Sequence, residues 1–181
     1  MRNLGFDIFL SEDAFSGAAR AGSFVADVEV AQRIAEIVWD EGPEVFVFAI
    51  TMENHGPWRS AREPNGPVSR LPDFPGNDAL DGFLQGIKGA DAMLGVLTDV
   101  LRMQGDTALL AFYGDHLPCL HSAFRRFGFD DRRTDYVIWS PGAGAPLALD
   151  LTASELSRAI WDAWQLAALP ANRSLLLAAD G

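Results

Sequence analysis

Apolar residues recur along the chain at spacings that predict three helices. The first begins after Asp27, a candidate N-cap, and ends before Gly42. The second is long, reaches about Met103 and carries one apolar face. The third follows Thr152 and Glu155, which have the spacing of a capping box. The apolar positions of the three helices are Ala31, Ile34, Ala35 and Val38; Leu80, Phe83, Leu84, Ile87, Leu94, Leu97 and Leu101; and Leu156, Ile160, Ala163, Trp164 and Ala167.

Three shorter apolar runs, residues 45–50, 107–113 and 136–139, predict strands. Each run is rich in β-branched and aromatic side chains and is bounded by turn residues, which is typical of a strand buried on both faces. Residues 58–76 contain four prolines and predict a long loop. Because the strands alternate with helices, the sequence predicts an α/β fold, a mainly parallel sheet flanked by helices, in a single domain over residues 1–181.

The charge balance narrows the classes of partner. The chain carries 14 basic and 25 acidic residues, a formal net charge of -11, and no basic stripe that could neutralise phosphates, which argues against nucleic acid. No apolar run approaches the roughly 20 residues that span a bilayer, so we predict no membrane span in this chain. Its localisation cannot be read from composition.

The three histidines fall into two clusters, each beginning where a predicted strand ends. His55 lies in the segment 51–58 (TMENHGPW), and His116 and His121 follow the second predicted strand. In an open parallel sheet, ligands bind in the crevice beyond the carboxyl ends of the strands. We therefore expect the two clusters to face one site.

The adjacent residues Asp115 and His116 suit a divalent metal ion. A carboxylate and an imidazole together favour Zn or Mn, but such ions take four or more ligands and this pair supplies two. Gly114 and Pro118 provide the turn that would let both side chains address one ion. In the alternative interpretation, Asp115 caps the following helix and His116 is a structural turn histidine.

His55 and the basic residues near His121 each have two readings. His55 could bind a phosphate oxygen or move a proton, or it could be structural and stack on Trp58. Glu53, two residues before it, could equally be a solvated loop acid. The arginines at positions 125, 126, 132 and 133 could bind an anion, but a solvated helix face paired with neighbouring acids accounts for them better.

Two segments carry a resemblance to a known family. Residues 48–58 (FAITMENHGPW) and 111–118 (AFYGDHLP) resemble the C-terminal half of the sulfatase-like catalytic domain, in the subgroup of lipoteichoic acid synthases and capsular polysaccharide sulfatase-type proteins of the alkaline phosphatase superfamily. Residues 4–7, 90–91 and 134–139 also fall where that family places similar segments. The resemblance covers nearly the whole chain.

The resemblance implies a chemistry and a set of site residues. An alkaline phosphatase-like α/β domain of this kind transfers or hydrolyses phosphate or sulfate esters, with Mn, Zn or Mg, in modifying cell-surface polysaccharides or lipid head groups. Asp115 and His116 would be metal ligands, His55 the catalytic residue in contact with the anionic ester, and Asn54 a second substrate-binding residue. The family's catalytic domains face the periplasm or the outside of the cytoplasmic membrane.

The chain also departs from the family pattern. The nucleophilic Thr or Ser and the first metal-binding carboxylate belong to an N-terminal half that this chain lacks, and the resemblance gives Thr51 no nucleophile role. We therefore expect an incomplete domain with little activity alone, whose exposed sheet edge favours self-association or a partner that supplies the missing half. The alternative is a non-catalytic interaction module or remnant that keeps the fold.

Overall fold

The computed structural model describes residues 4–42, 44–58 and 78–168. The chain divides into two compact units, the first comprising Met1–Leu97 and Leu117–Arg132 and the second Thr98–His116 and Arg133–Gly181. Most of the predicted long loop, from residue 59 onward, lies outside the described residues. That the units belong to one catalytic domain stays a prediction.

The first helix of the first unit follows a short hairpin. Strands β1 (Arg20–Ala21) and β2 (Phe24–Val25) pair antiparallel, and Gly22 opens their two-residue turn with a φ of 62°, a conformation that glycine adopts without steric cost. A 3-10 turn, Glu12–Phe15, precedes the hairpin. Helix α1 runs from Asp27 to Glu41 and ends at Gly42, which confirms the predicted helix, although its N-cap is Ala26 and not the predicted Asp27.

Helix α2 (Asp78–Gln104) is the longest element and contributes to both units. It begins and ends close to the predicted positions, because a single apolar stripe runs along its 27 residues. Helix α3 (His121–Phe127) is short and ends at Gly128 in the left-handed conformation. The buried apolar residues of the described chain all belong to the first unit: Ala31, Val38, Met93, Leu97, Leu120 and Ala123.

The second unit contains one small sheet and the last helix. Strands β3 (Leu110–Tyr113) and β4 (Tyr136–Trp139) pair antiparallel, with Leu110 opposite Trp139. Helix α4 (Ala153–Ala167) begins with the predicted capping box: Glu155 N donates to Thr152 Oγ1 at 3.4 Å, and Thr152 N donates to Glu155 Oε2 at 2.7 Å. Among the described residues, no helix combines the length and the apolar character needed to cross a bilayer.

For the residues that the structure describes, the predicted strand at 45–50 is wrong and the predicted parallel sheet is not confirmed. Residues 45–50 do not form a strand, and Phe46 is 75% exposed. A strand needs a neighbour to pair with its backbone groups, and within the described chain none pairs with this run. Both observed ladders are antiparallel, so the predicted parallel sheet is not seen there.

Candidate functional site

The segment 51–58, here called the histidine loop, presents His55 at the protein surface. A turn forms where His55 N donates to Met52 O at 2.9 Å. The His55 ring lies edge-on to Phe24, with centroids 6.0 Å apart, and its Nδ1 is 2.7 Å from Gly56 O. Because a carbonyl oxygen only accepts, Nδ1 carries the proton in this contact, which leaves the lone pair of the neutral ring on Nε2. The peptide bond from Gly56 to Pro57 is cis.

Glu53 anchors the histidine loop to the start of helix α1. Asp27 N donates to Glu53 Oε2 at 2.6 Å, and Glu53 N donates to Asp27 Oδ1 at 3.4 Å. The N-cap residue, Ala26, has no side chain that could accept this first helical N–H. The Glu53 carboxylate therefore caps the start of α1, although it lies 26 residues away in sequence. The positive end of the helix dipole also favours the negative charge of this carboxylate.

Asp27 is the most deeply buried acidic group of this arrangement, with 1% of its surface exposed. Burial, followed by the neighbouring charge of Glu53, raises the pKa of the Asp27 carboxyl to about 6. Hydrogen bonds from the Glu53 backbone and the Thr51 side chain act in the opposite direction and limit the rise. Two carboxyl groups thus meet at the base of the histidine loop, and Asp27 takes up its proton at a higher pH than an ordinary aspartate does.

Helix α2 supplies the other support of the histidine loop. The side chain of Asn54 lies against Gly86, and the carboxylate of Glu53 lies against Gly89. Trp58 packs edge-on against Phe83, with ring centroids 5.6 Å apart and planes at 87°. The loop is therefore held between α1 and α2 within the first unit.

Asn54, predicted to bind substrate, makes hydrogen bonds inside the histidine loop. Trp58 Nε1 lies 3.1 Å from Asn54 Oδ1 and 3.3 Å from Asn54 O, and donates toward both oxygens. The side-chain oxygen of Asn54 thus orients the indole that packs on α2. A direct contact between Asn54 and a substrate stays a prediction.

Asp115 and His116 follow directly after strand β3, in the second unit. Asp115 Oδ1 and His116 Nε2 are 3.8 Å apart, and the two side chains are 81% and 60% exposed. Gly114 N donates to Asp135 O at 3.1 Å, which ties this turn to the residue before β4. The predicted cap at α3 is wrong, because its N-cap is Leu120 and no side chain caps it.

This pair fits part of a metal site. A carboxylate oxygen and an imidazole nitrogen are ligands that a divalent ion such as Zn accepts, and both side chains are exposed enough to meet an ion from solvent. Within residues 4–42, 44–58 and 78–168, however, no group of three or more His, Cys, Asp or Glu side chains is placed to hold a metal. Asp115 and His116 therefore have the chemistry of two ligands, and the described residues supply no third.

The basic residues near His121 lie at the surface. His121 is the first residue of α3, and Arg125 and Arg126 are exposed in its last turn. Arg133 forms an ion pair with Asp150 at 2.6 Å. The structure thus brings Asp115 to His116 and places His55 beside Asn54, each pair within its own unit.

Sequence reasoning missed the supports of the histidine loop. The local pattern predicts an N-cap at Asp27 and allows Glu53 to be a solvated loop acid, whereas their contact joins residues far apart in sequence. A usable signal lay in α2, where Gly86 and Gly89 interrupt an otherwise helical pattern. Glycine disfavours a helix interior, so a pair of glycines three residues apart indicates close approach by another segment.

Comparison with known proteins identifies the family to which these motifs belong. The sequence model of the sulfatase family matches residues 1–161, a range that includes the histidine loop and the Asp115–His116 pair. The chain belongs to the sulfatase family. Family membership implies an alkaline phosphatase-like α/β fold, and it confirms the resemblance drawn from the two motifs. Sulfatases act on sulfate esters and generally use a divalent metal.

Two curated relatives come from Rhizobium meliloti (strain 1021). One, named for cyclic beta-1,2-glucan modification, is 29% identical over 158 residues, which cover 77% of this chain and 25% of the relative. The other, capsular polysaccharide biosynthesis protein RkpI, is 37% identical over 139 residues, covering 75% of this chain and 23% of the relative. The chain spans about a quarter of the length of these relatives. No solved structure gives a significant match.

Proposed function

We propose that this chain is part of a metal-dependent enzyme that transfers or hydrolyses phosphate or sulfate esters during the modification of a cell-surface polysaccharide. The observation that carries the proposal is the sulfatase family match over residues 1–161, which includes both histidine motifs. The names of the two relatives, which refer to glucan modification and capsular polysaccharide biosynthesis, support a carbohydrate acceptor or substrate.

Three residues have roles in this proposal. His55 contacts the phosphate or sulfate group and moves a proton at Nε2, since Nδ1 is engaged with Gly56 O. Asp115 and His116 supply two ligands to a Mn, Zn or Mg ion. When bound, such an ion lowers the pKa of a hydroxyl nucleophile and neutralises charge that develops on the ester oxygens.

The proposed enzyme needs residues beyond this chain. The chain corresponds to about a quarter of the length of each relative. We propose that the nucleophile and further metal ligands come from polypeptide outside the matched quarter, either in one longer protein or in a separate chain.

An exposed apolar surface in the first unit supports the need for a partner. Phe6 stacks on Phe46, with ring centroids 5.9 Å apart, and also contacts Phe48, so the segments around them form one surface. Phe46 and Phe48 are 75% and 50% exposed, and the apolar side chains at nearby sequence positions, Leu4, Ile8, Phe9 and Ile50, are also more than half exposed. Contiguous apolar patches on soluble proteins mark sites of association. We propose that the missing half, or a second copy, covers this surface.

The proposal is tested by titrating the zinc-loaded chain with inorganic phosphate and with sulfate while following the imidazole signals of His55 by NMR. Binding should shift these signals, and calorimetric titration of a His55→Gln variant should show anion binding that is weaker by about tenfold or more. Aryl phosphate and aryl sulfate should not be turned over by the chain alone. His55 signals that do not shift with either anion would contradict its substrate role. Rapid turnover of aryl phosphate or aryl sulfate by the chain alone would contradict the proposed need for a second half.

A second candidate function is a non-catalytic interaction module that retains the fold. The same exposed apolar surface favours it, because association requires such a surface whether or not chemistry follows. This candidate predicts that replacing both Asp115 and His116 by Ala leaves metal affinity unchanged. Loss of metal binding in that double variant would favour the enzyme.

A further inference from the structure

The histidine loop runs antiparallel along one side of helix α2. Glu53 meets Gly89, Asn54 meets Gly86, and Trp58 meets Phe83. Phe83, Gly86 and Gly89 follow one another at intervals of three residues, so they lie on the same side of α2 on successive turns. Loop and helix thus share a continuous seam, with small residues at two contacts and an aromatic pair at the third.

The two glycines are required for this close approach. A Cβ atom on Gly86 would lie 2.8 Å from the Cβ atom of Asn54, and a Cβ atom on Gly89 would lie 2.8 Å from Glu53 Oε2. Real Cβ atoms essentially never come closer than 3.0 Å to another heavy atom, so with a larger residue at either position the loop or the clashing side chain must shift. The Cβ of Asn54 is tied to the backbone, which makes the clash at Gly86 the harder one to relieve.

The contact at Gly89 is coupled to helix α1. Glu53 is a flexible side chain that could otherwise swing away from an added methyl group. In this structure its Oε2 accepts the first N–H of α1, from Asp27, at 2.6 Å. Moving the carboxylate away from α2 would therefore leave the start of α1 without this acceptor.

We propose that the start of α1 and the surface of α2 at Gly86 and Gly89 form a socket for the histidine loop. Glu53 and Asn54 are positioning residues that pack into this socket and thereby fix the position of His55. His55 lies next to Asn54 and its N–H is bonded to Met52 O, so it follows the placement of its neighbours. The importance of His55 for substrate binding rests on the proposed function, whereas its placement by the socket does not.

The test compares alanine substitutions along α2 in the 181-residue chain. Gly86→Ala and Gly89→Ala should shift the imidazole signals of His55 and the indole signal of Trp58 in NMR spectra. Gly95→Ala is the matched control, since a Cβ there has nothing within 4 Å. It should leave both signals in place and, because alanine favours a helix, should not lower stability. Unchanged His55 signals in folded Gly86→Ala and Gly89→Ala proteins would overturn the proposal.

A double-mutant cycle keeps the proposal testable if a glycine variant folds poorly. In the wild-type background, Gly89→Ala should lower the folding equilibrium constant about tenfold. In a Glu53→Ala background the same change should be neutral or favourable, because the clashing carboxylate is gone. Glu53→Gln, which retains an oxygen to accept from Asp27 N, should restore the His55 signals that Glu53→Ala shifts. Equal effects of Gly89→Ala in both backgrounds, or no rescue by glutamine, would contradict the socket.

Titration of the same variants with inorganic phosphate separates this inference from the proposed function. If both hold, Gly89→Ala weakens phosphate binding by about tenfold or more, whereas Gly95→Ala does not. If phosphate does not bind wild-type protein but the His55 signals still move in Gly89→Ala, the socket stands and the proposed function fails. If phosphate binds wild type and Gly89→Ala equally, with His55 signals unmoved, the socket fails alone.

Discussion

Replacing Asp27 by Asn should stabilise the protein at neutral and alkaline pH. The pKa of the Asp27 carboxyl is raised from 3.8 to about 6 in the folded protein, because burial and the charge of Glu53 disfavour ionisation. The native state therefore binds more protons than the unfolded state between these values, and stability falls as the pH rises through this window. Asparagine keeps the oxygen that accepts from Glu53 N and removes the buried charge.

The size of the effect follows from the two pKa values. Their separation of about two pH units corresponds to a penalty of about 3 kcal/mol once Asp27 is fully ionised. About half of this penalty is already present at pH 5, and the rest, about 1.5 kcal/mol, develops by pH 8. The stability advantage of Asp27→Asn over wild type should grow by that amount over this range.

Urea denaturation followed by circular dichroism at pH 5, 6, 7 and 8 measures this advantage directly. Asp40→Asn is the matched control, because it makes the same chemical change at an exposed position of the same helix. Its effect should stay within about 0.5 kcal/mol of wild type at every pH. A difference between Asp27→Asn and wild type that does not change with pH, or an Asp27→Asn protein that is less stable at pH 8, would refute the reasoning.

Two further predictions concern the α4 cap and the apolar surface. The pKa of Glu155 is lowered by hydrogen bonds from the side chain and backbone of Thr152, so Thr152→Ala should raise this pKa toward its ordinary value, as measured from the carboxyl NMR shift of Glu155; an unchanged pKa would show that the capping box is not formed. Phe46→Ser should reduce self-association measured by light scattering, whereas Leu147→Ser, an exposed apolar position in the second unit, should not; a wild-type chain that is monomeric at high concentration would contradict this prediction.

Helices were predictable from the sequence because their signals are local. The residues that form the apolar stripe of α2 follow one another every three or four positions, and the two residues of the α4 capping box are three positions apart. Both helices form where the pattern predicts them. Strand β4 likewise matches its predicted range. The run at 45–50 failed because a strand also depends on a pairing partner, which no local pattern can supply.

The candidate site was predictable only as a set of residue types. The motifs pointed to His55, Asp115 and His116, and the family match covers all three. The contact between Asp27 and Glu53 could not be predicted, because a bond between residues 26 positions apart leaves no periodic trace. The seat of Glu53 and Asn54 against Gly86 and Gly89 depends in the same way on how the loop meets α2.

Calorimetric titration of the metal-stripped chain with Mn and with Zn tests the proposed function most directly, beside a variant carrying both Asp115→Ala and His116→Ala. The account predicts one-to-one binding by the wild-type chain and its loss in the double variant, because these two side chains are the proposed ligands. Binding that is absent, or that survives in the double variant, would contradict a metal site at Asp115 and His116 and would favour a non-catalytic interaction module.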